Sequence, residues 1–191
     1  MIINVRGTSG SGKTHLVRNL MECYDSRIKV YDVGRRQPIG YVCERANGPS
    51  LSVIGHYEIA CGGCDTISTM DQIFELVRES HQEGHDVIFE GLLVNSDRNR
   101  TVQMHEDGLP LLVVTLSTPI ELCLESVMAR REAKAKKKGD GNKAKELNPR
   151  NTESRFKMAD KNDDVFKSLE MPSCYVDRET AALVIEKALD L

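Results

Sequence analysis

Gly7-Thr8-Ser9-Gly10-Ser11-Gly12-Lys13-Thr14 fits the pattern G-x-x-x-x-G-K-[ST]. That pattern describes a backbone that must curl around an anion. Met1-Ile2-Ile3-Asn4-Val5-Arg6 precedes it as a short apolar run that reads as a buried strand. His15-Leu16-Val17-Arg18-Asn19-Leu20-Met21 follows with apolar spacing suited to a helix. Strand, glycine turn and helix form the context that a phosphate-binding loop needs. Glycines let backbone N–H groups approach the anion with no Cβ in the way. The N-terminus of the following helix adds free donors and partial positive charge. Lys13 is placed to reach β- and γ-phosphates, and the Thr14 hydroxyl to ligate Mg²⁺. Gly7, Thr8, Ser9, Gly10, Ser11 and Gly12 supply the cradle. The alternative is a glycine-rich turn that binds nothing. The motif implies ATP or GTP and leaves the fate of the γ-phosphate open.

A chain of 191 residues is long enough for a sizeable core and suits one domain, with at most a small inserted lid. No apolar run approaches the roughly 18 residues of a membrane span. A strand entering the loop at the N-terminus leaves no room for a signal peptide. The formal net charge of -3 does not mark the whole surface as a nucleic-acid binder. The six cysteines are mostly isolated, consistent with reduced thiols and a cytoplasmic location. Cys61-Gly62-Gly63-Cys64 is the one C-x-x-C. With no second ligand pair it reads as a tight glycine loop rather than a zinc site.

Arg27 to Asp32 reads as a second strand ending in the polar loop Gly34-Arg35-Arg36-Gln37-Pro38. Ligands in open α/β sheets gather at strand carboxyl ends. Asp32, Arg35 and Arg36 are therefore candidates for substrate contact, the alternative being a solvated loop. Ile39 to Cys43 and Leu51 to Tyr57, joined through Asn47-Gly48-Pro49-Ser50, suggest a hairpin. The glycine pair then places Asp65 at a mouth. A carboxylate there could accept the proton of an attacking hydroxyl; equally, Asp65 or Thr66 could cap the helix that starts near Met70. Asp71 to Glu83 is an amphipathic helix closed by Gly84. Asp86-Val87-Ile88-Phe89-Glu90-Gly91 is a buried strand ending in an acid, the position from which Glu90 could hold Mg²⁺.

Asp97 to Asp107 is expected to be helical, Pro110 to Leu116 a buried strand, and Thr118-Pro119 the start of a helix ending in Arg130-Arg131. Between Arg130 and Arg150 the chain carries three arginines and six lysines against three acids. This basic, glycine-containing segment, about 130–155, reads as a lid whose arginines neutralise a transferring phosphoryl group. Arg130, Arg131 and, on the return helix, Arg155 are its candidates. A solvated loop and a lysine track along a nucleic-acid backbone are the other readings. A helix from Thr152 to Leu169, a strand from Ser173 to Val176 and a helix from Arg178 close the chain. The expected fold is α/β: a three-layer P-loop domain with a central parallel sheet of about five strands, a β-hairpin insertion and a basic lid.

The N-terminal P-loop, Glu90-Gly91 at a strand end and Arg130-Arg131 between two helices resemble the nucleoside and nucleoside-monophosphate kinase branch of P-loop enzymes. More narrowly, Arg6 to Thr14, Ile54-Gly55-His56-Tyr57-Glu58, Cys61 to Ile67 and Phe89-Glu90-Gly91-Leu92-Leu93 resemble bacteriophage kinases of 5-hydroxymethyluracil in DNA. The resemblance implies transfer of the ATP γ-phosphate, with Mg²⁺, to the 5-hydroxymethyl oxygen within DNA. The P-loop role carries over onto Gly7 to Thr14. The chain departs from a typical DNA binder in its net charge and its few aromatics, four Phe and no Trp. Tyr57, Tyr41 and His56 are the expected platforms for an extruded base. Two other readings stand beside this one. One is a kinase of free deoxynucleosides or deoxynucleoside monophosphates. The other is a P-loop ATPase or nucleotide-dependent switch.

Overall fold

A computed structural model describes residues 1–59, 62–137 and 148–191. Its centre is β1 (Ile2–Arg6), buried along its whole length. β1 pairs in parallel with β5 (Asp86–Glu90) on one side and β6 (Leu111–Leu116) on the other. β4 (Leu51–Ile54) adds to β5, and β7 (Ser173–Val176) to β6, both in parallel. These strands form the five-stranded parallel core that the sequence predicts. β3 (Gly40–Glu44) pairs antiparallel with β4, and β2 (Ser26–Val30) antiparallel with β3. The complete order is β2-β3-β4-β5-β1-β6-β7.

The expected second core strand is thus an antiparallel edge strand, and the second arm of the hairpin takes its place in the parallel core. The burial explains the exchange. β4 is buried throughout, whereas every residue of β2 is exposed. A parallel strand must be covered on both faces, and only Leu-Ser-Val-Ile meets that demand.

Side-chain alternation along β1 sorts the layers. Ile3 and Val5 pack with Leu16, Val17 and Leu20 of α1 (Lys13–Met21) and with Ile185 of α7 (Arg178–Ala188). Ile2 faces the opposite layer, with Phe74 and Val77 of α2 (Met70–Gln82), Met104 of α4 (Asn99–Glu106) and Phe166 of α6 (Pro149–Ser168). Between β5 and α4 lies α3 (Leu92–Ser96), a single turn too short to announce itself by periodicity. α5 (Ile120–Lys137) runs toward residues 138–147 and α6 returns from them. Much of the expected lid, with its later lysines, therefore lies outside the described residues. So does Cys61, and with it the Cys61–Cys64 pair. Among the described residues no helix is long and apolar enough to cross a membrane.

Thr69, rather than Asp65 or Thr66, caps α2, accepting from Gln72 N at 3.1 Å. Asp177 caps α7 through Oδ1, which accepts from Glu179 N and Thr180 N, each at 2.9 Å. Bonds from Thr180, backbone first and then hydroxyl, hold the Asp177 carboxyl below its ordinary value of 3.8. A depressed carboxyl pKa contributes stability that is present above the unfolded value and is lost as pH falls through the folded one. Asp177→Ala should lower the melting temperature by a few degrees at pH 7. In a pH series of thermal melts, the gap from wild type should close as pH falls below the ordinary aspartate value.

Candidate active site

The chain leaves β1 and turns at once. Gly10 and Gly12 take φ of 88° and 98°, a left-handed backbone that favours glycine. Packing reinforces the requirement at Gly10, where a Cβ would fall 2.2 Å from the carbonyl oxygen of Cys123 in α5. The loop opens onto a cleft of about 1000 Å³. Ser9 to Thr14 line one wall, and Asp65, Glu90, Thr118, Arg130 and Arg178 complete the rim.

Lys13 opens α1. Its ammonium Nζ donates to Gly7 O at 2.7 Å and Thr8 O at 3.1 Å. Burial lowers its pKa, opposed first by the Glu90 carboxylate and then by Asp65. Thr14 Oγ1 donates to Glu90 Oε1 at 2.8 Å. Burial raises the Glu90 carboxyl, and the Lys13 charge and the Thr14 hydroxyl pull it back. Arg130 is close enough for its charge to act on both groups. The strand end that suggested Glu90 from sequence thus sets its carboxylate directly against the P-loop threonine.

Asp65 lies in a 3-10 turn, Cys64–Thr66, and is exposed at the cleft. Its Oδ1 accepts from Leu92 N at 2.7 Å and Leu93 N at 3.3 Å, anchoring the start of α3. It caps a helix, but a different one from that expected. Gly63 and Gly91 permit this approach. A Cβ on Gly63 would come within 2.5 Å of Glu90 Oε1, and one on Gly91 within 3.1 Å of Asp65 Oδ1.

Other expected residues lie elsewhere. Arg131 and Arg155 are half-buried on α5 and α6 and do not line the cleft. Asp32 Oδ2 accepts from Gln72 Nε2 at 3.2 Å, and Arg35 Nη2 donates to Thr66 O at 2.9 Å, so both brace a turn against the Asp65 segment. Arg36 is exposed beside them. His56 and Tyr57 are 2% and 5% exposed. His56 forms a backbone bridge to Gly63, and the Tyr57 ring packs edge-on against buried Tyr41 at 6.1 Å. None of the three offers a ring face to an extruded base. The correction is physical: at the end of an apolar strand these rings complete the core rather than face the cleft.

Several site residues escape a local reading. Asn95 of α3 accepts from Gly7 N at 2.8 Å through Oδ1. Its carbonyl accepts from Arg6 Nη2 at 2.5 Å and from Asn162 Nδ2 of α6 at 3.2 Å. Thr118 Oγ1 donates to Ser11 O at 2.9 Å. Arg178 packs its Cδ 3.1 Å from where a Gly12 Cβ would stand. Arg18 reaches across to Tyr57 O and Ile59 O at 2.7 and 2.5 Å. Thr118 and Arg178 sit at helix starts, which was the only signal the sequence offered for either.

A P-loop lysine, a threonine–carboxylate pair and a second carboxylate share one cleft at the carboxyl end of a parallel sheet. This arrangement defines a P-loop phosphotransferase. Residues 2–148 match the AAA domain family. The chain is 44% identical over 189 residues to the 5-hmdU DNA kinase of Pseudomonas phage PaMx11, covering 99% of this chain and 97% of that one. It is 31% identical over 140 residues to the 5-hmdU DNA kinase of Pseudomonas phage M6, covering 69% and 73%. The chain belongs to the AAA domain family and to the phage 5-hmdU DNA kinases, and it is a kinase. A solved deoxyadenosine kinase from M. mycoides aligns over 100% of this chain and 99% of its own, at 16% identity and a TM-score of 0.38, too distant to carry an inference.

Proposed function

We propose that this chain transfers the γ-phosphate of ATP to the 5-hydroxymethyl oxygen of 5-hydroxymethyluracil in DNA, in the cytoplasm of a phage-infected host. The observation that best supports it is the convergence of Lys13, the Thr14–Glu90 pair and Asp65 on one cleft, in a chain with a near full-length relative of that name. The acceptor oxygen bonds to the γ-phosphorus as the bond to the β–γ bridging oxygen breaks. The hydroxyl proton passes to Asp65, and ADP leaves. Asp65 Oδ1 is held by the α3 amides, so Oδ2 is the oxygen that receives the proton. Lys13 and Arg130 stabilise the charge on the transferring group.

The site also fits Mg²⁺. Thr14 Oγ1 and Glu90 Oε1 are hard oxygen donors 2.8 Å apart. Mg²⁺ typically takes one or two protein oxygens and fills its remaining positions with water and phosphate oxygens. Bound there, it would offset charge on the β- and γ-oxygens. Ser11 Oγ, buried inside the loop with no hydrogen-bond partner among the described residues, is a donor suited to a phosphate.

The test offers γ-labelled ATP with Mg²⁺ and three acceptors: DNA containing 5-hydroxymethyluracil, unmodified DNA, and free deoxynucleosides with their monophosphates. Label on the modified DNA alone is the expected result. Label only on a free nucleotide would replace this reading with a pool-supplying kinase. ATP loss without any labelled acceptor would replace it with an ATPase. Asp65→Asn should retain the Oδ1 acceptor for the α3 amides while losing the proton acceptor. Its transfer rate should fall on the order of 10²-fold or more with melting unchanged. Wild-type transfer by that variant would remove Asp65 from the chemistry.

A further inference from the structure

Burial of Tyr41, Tyr57 and His56 leaves a gap in the reading above. A base taken out of a duplex needs something to occupy its place in the stack and to support its neighbours. All five Tyr and four Phe lie among the described residues, and Tyr31 alone of them is exposed, at 51%. Two residues on stands Val33, 98% exposed, the most exposed large apolar side chain among the described residues.

Val33 sits at the tip of a tight turn. Arg35 N donates to Asp32 O at 3.1 Å, Gly34 takes φ of 78°, and Val33 N donates to Asp32 Oδ1 at 2.7 Å. The turn is braced from below by Asp32 on Gln72 and by Arg35 on Thr66. Thr66 is the residue after Asp65. The apolar tip is therefore tied by one hydrogen bond to the segment that carries the proposed base.

Charge selects the occupant. Upstream cations are already committed, Lys29 to Glu58 and Arg27 to Glu22. Arg36, beside the tip, makes no ion pair or hydrogen bond among the described residues, and Arg35 spends only one of its five donors on Thr66. Asp32, the lone acid of the turn, is occupied by Gln72 and the Val33 amide. An exposed apolar tip, an exposed aromatic and two arginines on a chain of net charge -3 match a polyanion with apolar stacked faces. A two-fold contact of this turn with itself on a second copy would set the same arginines against each other.

Resting on the DNA reading above, we propose that the Tyr31–Arg36 turn is a wedge for duplex DNA. Val33 enters the stack at the position vacated by the extruded 5-hydroxymethyluracil. Tyr31 stacks on a flanking base, and Arg35 and Arg36 hold the phosphates on either side.

The test compares transfer to 5-hydroxymethyluracil in a duplex and in a single strand of the same sequence. 2-Aminopurine beside the target base reports unstacking. Wild type should label both DNAs and raise the 2-aminopurine signal on the duplex. Val33→Ser and Tyr31→Ser should each lose about tenfold on the duplex, with the fluorescence rise, and less than about twofold on the single strand. Arg36→Gln should weaken both and reduce the slope of log affinity against log salt by about one. Val33→Ser with wild-type duplex rate and signal would overturn the wedge and leave the DNA kinase standing. So would equal loss on both DNAs, or conversion of a solution dimer to monomer with the duplex rate intact. Absence of label on either DNA with wild type would instead remove the reading on which the wedge rests.

Discussion

Lys13→Ala is expected to abolish phosphate transfer, a loss on the order of 10³-fold or more, while the fold survives. The ammonium is the cation seated deepest in the loop, and its hydrogen-bond partners among the described residues are the carbonyls of Gly7 and Thr8. A phosphoryl group offers it a stronger, charge-assisted bond. Burial already disfavours its charge, and the Glu90 carboxyl, which loses that charge as a neighbour, keeps its bond from the Thr14 hydroxyl. Circular dichroism and melting near wild type, beside lost transfer from labelled ATP, would place the defect in the chemistry. Turnover like wild type in this variant would end the P-loop mechanism.

Arg6→Leu should do the reverse and strike stability first. Arg6 is 1% exposed, at the end of β1. Nη1 donates to Thr101 Oγ1 at 3.0 Å and Asp97 O at 3.3 Å, and Nη2 to Asn95 O. The guanidinium lies 5.1 Å from the Phe166 ring centroid. Burial lowers its pKa to about 10, with Asp97 opposing, so the group stays charged at neutral pH. Leucine fills the space but removes all three bonds; Asn95 O keeps only Asn162, Thr101 Oγ1 keeps Asn4, and Asp97 O keeps Thr101. Losing three hydrogen bonds to a buried charged group costs roughly 3 kcal/mol or more together. The melting temperature should fall by about 6–12 °C. Arg6→Lys should fall between, since an ammonium keeps the charge but not the planar fork. A melt of Arg6→Leu within a degree or two of wild type would show that the network is not structural.

The same residue shows where local sequence stops being informative. From sequence alone, Arg6 is a basic residue at a strand end, and nothing nearby says that it is buried. Its partners lie about ninety positions away, and local periodicity is blind to contacts at that separation. The P-loop was legible because its chemistry is contiguous. The buried parallel strands were legible because both faces must be apolar. Glu90 was legible as an acid ending such a strand. The edge position of β2 was not, because hairpin signals give pairing but not which arm joins the core. Tyr57 and His56 misled for a related reason: residue type suggests stacking, and only packing decides whether a ring is accessible. α3 was hidden because five residues complete barely more than one helical period.

That short helix also limits how the chain can change in length. Its first amides hang from Asp65, and its fourth residue, Asn95, holds the first amide of the P-loop. The three steps from Leu92 to Asn95, at about 1.5 Å of rise each, make a ruler of about 4.5 Å between the two attachments. One inserted residue would lengthen it by about 1.5 Å and swing Asn95 by about 100°, carrying its amide away from Gly7. Residues 92–96, Asn95 apart, can therefore drift in side chain but not in number, and an insertion there would uncouple the two halves of the site even if every motif residue were kept.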